Sequence, residues 1–112
     1  MKAIQELQLW IVENVRKRLP IQMLADRVAM SLRHFERVFT REVGRTPSQY
    51  VLAAGVEAAR QQLERTDRGP KQIAVACGFG SADTMRRSFA RLVGVAPNQL
   101  RRRAHGSSST GG

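Results

Sequence analysis

The sequence predicts an all-α protein: two helix-turn-helix subdomains joined by a long linker helix, about seven helices in all. Three observations predict it. Apolar residues recur at helical spacing, and no stretch sustains the two-residue alternation of a strand. An internal repeat organises the chain. Ser31, Phe39, Val43, Gly44, Pro47 and Gln49 recur 50 positions later as Ser81, Phe89, Val93, Gly94, Pro97 and Gln99. Leu24, Ala25 and Val28 recur 49 positions later as Ile73, Ala74 and Cys77, so one extra residue has entered the turn between the two short helices. Finally, Ser, Gly and Pro punctuate both copies in the same order. Each reads as short helix, tight turn, capping Ser, longer helix, Gly stop and Pro, which is the layout of a helix-turn-helix unit.

The elements follow in order. Residues 2–18 carry Ile4, Leu7, Leu9, Trp10 or Ile11, Val15 and Leu19 at helical spacing, and Pro20 closes the segment. Residues 21–28 form a short amphipathic helix. Ser31 caps the next, from Leu32 to Val43, and Gly44 stops it. Pro47 opens a long Ala-rich helix, where its missing N–H costs little. Residues 67–70, Asp-Arg-Gly-Pro, are a turn. A short helix from Ile73 to Cys77 ends at Gly78-Phe79-Gly80. Ser81 caps a helix from Ala82 to Val93, and Pro97 opens a last one to about Arg103. The predicted units are residues 1–46, a linker helix at 47–65, residues 66–104, and a disordered tail at 105–112, where low complexity and no apolar anchor predict no fold.

Composition removes several classes. The chain has 112 residues, 42% apolar and 25% charged. That is one domain, or two very small ones sharing a core; collagen, coiled-coil and wholly disordered classes do not fit. No apolar run approaches the roughly 18 residues of a membrane span, and the start lacks the apolar stretch of a signal peptide. A lone Cys77 excludes an intrachain disulfide and fits a reducing compartment. Charge is the unusual quantity. Nineteen Lys and Arg stand against nine Asp and Glu, for a net charge of +10, and Arg supplies sixteen of the nineteen. Guanidinium pairs with phosphate in a forked geometry, so the balance points to a polyanion partner.

The two longer helices say where. On the first, Phe35, Val38, Phe39 and Val43 share one face with Leu32 at its edge, leaving Arg33, Glu36, Arg37, Thr40 and Arg41 outward. On the second, Met85, Phe89 and Leu92 face inward; Ala82, Asp83, Arg86, Arg87 and Arg91 face away. A major groove admits one such helix, Arg can bridge two acceptors on guanine, and Glu or Asp can accept from cytosine N4. Residues nearest a recognition helix's start meet base edges. The expected base contacts are therefore Arg33, Glu36, Arg37, Ala82, Asp83, Arg86 and Arg87. The expected phosphate contacts are Ser31, His34, Arg41, Ser81, Arg91, Arg101 and Arg102. The plainer reading of these charges is a solvated helix face. Against it stands the same charged face in both copies. For His34 a partly exposed helix-edge role competes with phosphate contact, and the run Arg101-Arg102-Arg103 also suits the negative end of its helix dipole.

These segments resemble a known family. Ser31 through Pro47 looks like the first recognition helix and exit of AraC/XylS-type bacterial transcription regulators. Ile73-Ala74-Val75-Ala76-Cys77-Gly78-Phe79-Gly80-Ser81, continuing through Phe89, Gly94 and Pro97, is similar to the family's signature region. The resemblance covers roughly residues 4–103. It implies two homeodomain-like units held by a linker helix. Their recognition helices would enter successive major-groove segments about one turn (~34 Å) apart. Gly78 then fits the family's tight turn and Phe79 its core anchor. Wording around residues 82–89 looks most like members with an N-terminal amidotransferase-like sensor domain. One departure is Gly55, where the family often has Arg. Gly within a helix costs ~1 kcal/mol relative to Ala, so the helix is expected to bend there or meet a neighbour closely, and a phosphate contact near this point is put in question.

The remaining residues point elsewhere less strongly. Two separated His and one Cys do not make a zinc site of usual spacing, so no metal and no cofactor are expected. Cys77 matches Val28 in the repeat and reads as a small buried hydrophobe. Trp10 reads as an anchor of the first helix, and His105 as a tail residue without a role. No nucleophile-base set and no phosphate-cradling loop is present, so no enzyme is expected. The expected partner is double-stranded operator DNA, with RNA polymerase and a separate N-terminal effector or dimerisation domain as further expected partners and no membrane. The expected location is the bacterial cytoplasm, at the nucleoid. A natural stand-alone chain remains open beside a fragment of a longer regulator. The competing function is a basic helical adaptor that binds protein or RNA without DNA sequence preference.

Overall fold

The computed structural model describes residues 1–110, with side chains through residue 105. Seven helices appear in order among the described residues: α1 Lys2–Glu13, α2 Ile21–Arg27, α3 Leu32–Val43, α4 Pro47–Arg65, α5 Pro70–Ala76, α6 Ala82–Leu92 and α7 Pro97–Thr110. There is no strand among the described residues.

Local chemistry sets most helix ends. Thr46 and Gln49 form a reciprocal capping box at α4: the Gln49 N–H donates to Thr46 Oγ1 at 3.2 Å, and the Thr46 N–H to Gln49 Oε1 at 3.0 Å. The second copy keeps half of it. The Ala96 N–H donates to Gln99 Oε1 at 3.1 Å, but Ala96 has no hydroxyl to return. Gly44 closes α3 in the left-handed region at φ 85°.

Three expected boundaries differ. The first helix ends at Glu13 rather than reaching residue 18. The Asn14 side chain donates to the Trp10 carbonyl at 2.8 Å, and the Lys17 N–H donates to the Asn14 carbonyl at 3.0 Å. That turn redirects the chain so that Leu19 is buried. Helix α5 begins at Pro70, three residues early, because proline suits a first helical position. The last helix passes Arg103 and continues to Thr110. Residues 105–110 of the expected tail thus belong to α7. His105 is half-buried with Nε2 3.3 Å from the Glu64 carbonyl, which ties this turn of α7 to α4. Residues 111–112 lie outside the described residues.

Two apolar cores form, one per repeat. Ile4, Leu7, Ile11, Leu19, Leu24, Ala25, Phe35, Val38 and Phe39 make the first. Val56, Ala59, Leu63, Ile73, Ala74, Cys77, Met85 and Phe89 make the second. Helix α4 serves both: Tyr50, Val51 and Ala54 pack on the first, and Val56, Ala59 and Leu63 build the second. Phe39 packs between Phe35 and Tyr50, tilted to the first and edge-on to the second, with ring centroids 5.6 and 5.5 Å away. Two residues expected inside are not. Leu9 is 68% exposed, since Ile4, Leu7 and Ile11 already fill the buried stripe of α1. Leu92, 47% exposed, ends α6 and lines a hollow with Arg45, Val56 and Glu57 instead of entering the core.

The units meet at a seam built on absent side chains. A Cβ on Gly55 would lie 3.1 Å from the Cys77 carbonyl and 3.3 Å from the Phe79 ring. The bare helix therefore lets the α5–α6 turn close onto α4, the near approach expected of this position. Gly78 in that turn has φ +86°, and a Cβ there would lie 2.2 Å from the Val15 carbonyl oxygen. The second unit's turn thus rests on the loop that follows α1.

Candidate nucleic-acid interface

The two Ser-capped helices are built alike. Ser31 Oγ accepts from the His34 N–H at 3.2 Å, and Ser81 Oγ accepts from the Thr84 N–H at 3.2 Å. Each cap satisfies an orphan donor of the first turn and fixes where its helix starts. Phe35, Val38 and Phe39 bury the back of α3; Met85, Ser88 and Phe89 bury the back of α6. Ser88 replaces the apolar residue of the first copy and satisfies its hydroxyl on the Thr84 carbonyl at 2.9 Å.

Burial of those backs leaves the expected site residues outward. Ser31, Arg33, His34, Glu36, Arg37 and Arg41 are exposed on α3 and its cap, as are Ser81, Asp83, Arg86, Arg87 and Arg91 on α6 and its cap. Ala82 is half-buried. The two faces differ electrostatically. Asp83 pairs with Arg86 one turn along, and its other oxygen lies 3.4 Å from Arg87 Nε. The Arg86 guanidinium, with Arg87 behind it, holds the Asp83 carboxyl below the usual carboxylate range. Arg33, Glu36 and Arg37 stand in no ion pair among the described residues.

Arg101 is bonded to the end of α4. Its Nε donates to the Leu63 carbonyl at 3.3 Å and its Nη2 to the Thr66 carbonyl at 3.0 Å. A cation there answers the orphan carbonyls at the end of α4. Only the tertiary fold brings α7 to that helix end, so sequence spacing gave no signal for this role. Arg102 remains exposed.

Other features concern stability. Cys77 is buried, and burial pushes its thiol up, so it packs as the small hydrophobe expected. Trp10 packs against the first core, and the Arg27 guanidinium sits 3.9 Å above its ring centroid. No group of His, Cys, Asp and Glu among the described residues could hold a metal ion. No helix among the described residues is long and apolar enough to cross a membrane.

One exposed basic segment escaped the sequence reading. Arg16, Lys17 and Arg18 follow α1, and Arg16 and Arg18 line a hollow with Gly78, Gly80 and Thr84 of the second unit. Three consecutive cations were a visible signal, but residues 2–18 read as one helix hid the loop.

Comparison with known proteins agrees with this geometry. Residues 24–103 match the helix-turn-helix domain family. An HTH-type transcriptional regulator of Mycobacterium tuberculosis is 57% identical over 79 residues, covering 70% of this chain and 30% of that protein. The HTH-type transcriptional regulator ArgR of Pseudomonas aeruginosa is 33% identical over 96 residues, covering 86% of this chain and 29% of that protein. This chain thus spans under a third of these two relatives. Among solved structures, the DNA-binding domain of AdpA, crystallised with a target DNA, superposes with a TM-score of 0.86. It is 32% identical, with 91% of this chain and 94% of that one covered. An AraC-type regulator structure from Chromobacterium violaceum gives a TM-score of 0.83 at 28% identity, over 92% of each chain.

Proposed function

The chain belongs to the AraC-type helix-turn-helix family of transcription regulators, and on that premise we propose that it binds double-stranded DNA sequence-specifically, α3 and α6 each reading one major-groove segment. One observation carries the reading: two Ser-capped helices with buried backs each present an outward basic face, at corresponding places in a repeat. Its base-reading set is Arg33, Glu36 and Arg37 on α3, and Asp83, Arg86 and Arg87 on α6, with the Ala82 methyl suited to a thymine methyl. Ser31, His34, Arg41, Ser81, Arg91 and Arg102 form its phosphate set. Arg101 is left out, because its donors serve α4. Affinity and salt dependence come from the phosphate set, and sequence preference from the base-reading set.

The chain is the DNA-binding portion of a bacterial regulator and not an enzyme; its one thiol is buried, and neither histidine lies beside it in the sequence. Its place of action is the cytoplasm, at the nucleoid, with RNA polymerase and an N-terminal effector or dimerisation domain as partners. The curated relatives being more than three times as long as the matched region supports the last of these.

The test is selection from a random-sequence duplex library, with retained sites titrated at two salt concentrations. Two half-elements about 10 base pairs apart are expected. A single half-element would reduce one unit to gripping backbone. No enrichment with steep salt dependence would favour the basic adaptor.

A further inference from the structure

We propose that the loop Arg16-Lys17-Arg18 is a phosphate clasp that grips the duplex backbone between the two groove segments, an inference that rests on the DNA-binding reading above. All three side chains are exposed and carry no ion pair among the described residues. Their place is set by the seam. The Val15 and Lys17 carbonyls lie under Gly78, so the loop is held against the second unit while leading directly into α2 of the first. Arg16 and Arg18 line a shared hollow with Gly80 and Thr84, at the start of α6. Thr84 lies three and seven residues before Arg87 and Arg91, on one stripe of that helix, so the loop's charge runs on into the proposed contacts of α6. The first helix of a helix-turn-helix unit crosses the phosphate backbone, and this loop feeds that helix. The repeat supplies a parallel: Arg65, 49 positions after Arg16, is also exposed and lies five residues ahead of α5, as Arg16 lies five ahead of α2.

Two helices in successive groove segments on one face of DNA leave backbone between them. A basic seam at that place neutralises phosphates without reading bases, so its contribution is sequence-independent and salt-dependent. Each neutralised phosphate adds about 0.9 to the slope of log affinity against log salt. Two such contacts correspond to a slope change of about 1.8 and, at about 0.1 M salt, an affinity change on the order of 60-fold.

The experiment compares the full chain with the Arg16→Gln/Lys17→Gln/Arg18→Gln variant and with an Arg16→Lys/Arg18→Lys variant. Binding to a selected duplex and to a random duplex is titrated across salt, with thermal unfolding as the check on folding. The expected result is that the Gln variant loses about the same factor on both duplexes, its slope falls by roughly 1–3, its selected motif is unchanged, and the Lys variant recovers slope and affinity. Wild-type affinity and slope in the Gln variant overturn the clasp, as does loss confined to the selected duplex or loss that the Lys variant does not recover. A wild-type chain that enriches no motif overturns the sequence-specific reading instead, and the slope comparison on random duplex still decides the clasp.

Discussion

Gly78 and Ala29 occupy the same place in the two units, 49 positions apart, and exchanging their residues should move stability in opposite directions. The turns share their hydrogen bonds. The Met30 N–H donates to the Ala25 carbonyl at 3.0 Å, and the Phe79 N–H donates to the Ala74 carbonyl at 2.8 Å. Both central residues are left-handed, Ala29 at φ 57° and Gly78 at φ 86°. An L-residue pays about 1–2 kcal/mol for that region. At Gly78 a second cost adds to it. A Cβ there would stand 2.2 Å from the Val15 carbonyl, which is backbone and cannot rotate away. The seam would open by about 1 Å, an overpacking cost of about 1–3 kcal/mol. Set against the about 0.4–1 kcal/mol of unfolded-chain entropy that Ala removes, Gly78→Ala should therefore cost about 1–4.6 kcal/mol, a large share of the ~5–15 kcal/mol that holds a domain together. Ala29→Gly removes the left-handed cost but adds about 0.4–1 kcal/mol of unfolded-chain entropy, leaving a gain of about 0–1.6 kcal/mol. Urea unfolding of both variants against the wild type is the assay. A loss under about 1 kcal/mol for Gly78→Ala would refute the seating of the turn on Val15. Destabilisation by Ala29→Gly would refute the strain assigned to that turn.

Arg37→Ala and Arg87→Ala should each cost about 1–3 kcal/mol on the selected site and less on random duplex, by competition binding; equal losses would make them phosphate contacts. Arg101→Ala should lower stability by about 1–3 kcal/mol, the worth of charge-assisted bonds to part-buried carbonyls, and leave the salt slope of DNA binding unchanged. Cys77→Ser should destabilise by about 1–3 kcal/mol through burial of a hydroxyl and keep the selected motif; the native thiol should also resist alkylation at neutral pH until urea exposes it. Arg60 beside Glu57, and Arg86 beside Asp83, hold those carboxyls below their ordinary range in the fold. Their stabilisation is thus present above the unfolded value near 4 and lost as pH falls through the folded one. The urea midpoint should drop between pH 5 and 2, less so in a Glu57→Gln/Asp83→Asn double variant.

Which features were legible in the sequence follows from how local their causes are. Ser31, Ser81, Gly44, Pro47 and Pro97 act within one turn of themselves, so helix starts and stops could be read from spacing. The apolar stripes of α3 and α6 run along single helices, so their outward faces could be read as well, and the repeat exposed the two-unit plan. Composition alone fixed the sign of the charge. Tertiary structure decided what depends on two distant segments meeting. The turn at Asn14, needed to bring Leu19 into the core, broke the expected first helix and released the Arg16–Arg18 loop. Packing of α7 on the end of α4 turned Arg101 from an expected phosphate ligand into a cap for Leu63 and Thr66. Closure of the α5–α6 turn onto α4 and the Val15 loop explained why Gly55 and Gly78 carry no side chain. Local signals specify each helix by its own hydrogen bonds and periodicity, whereas the placement of one helix against another is set by surfaces that only meet once the chain has folded.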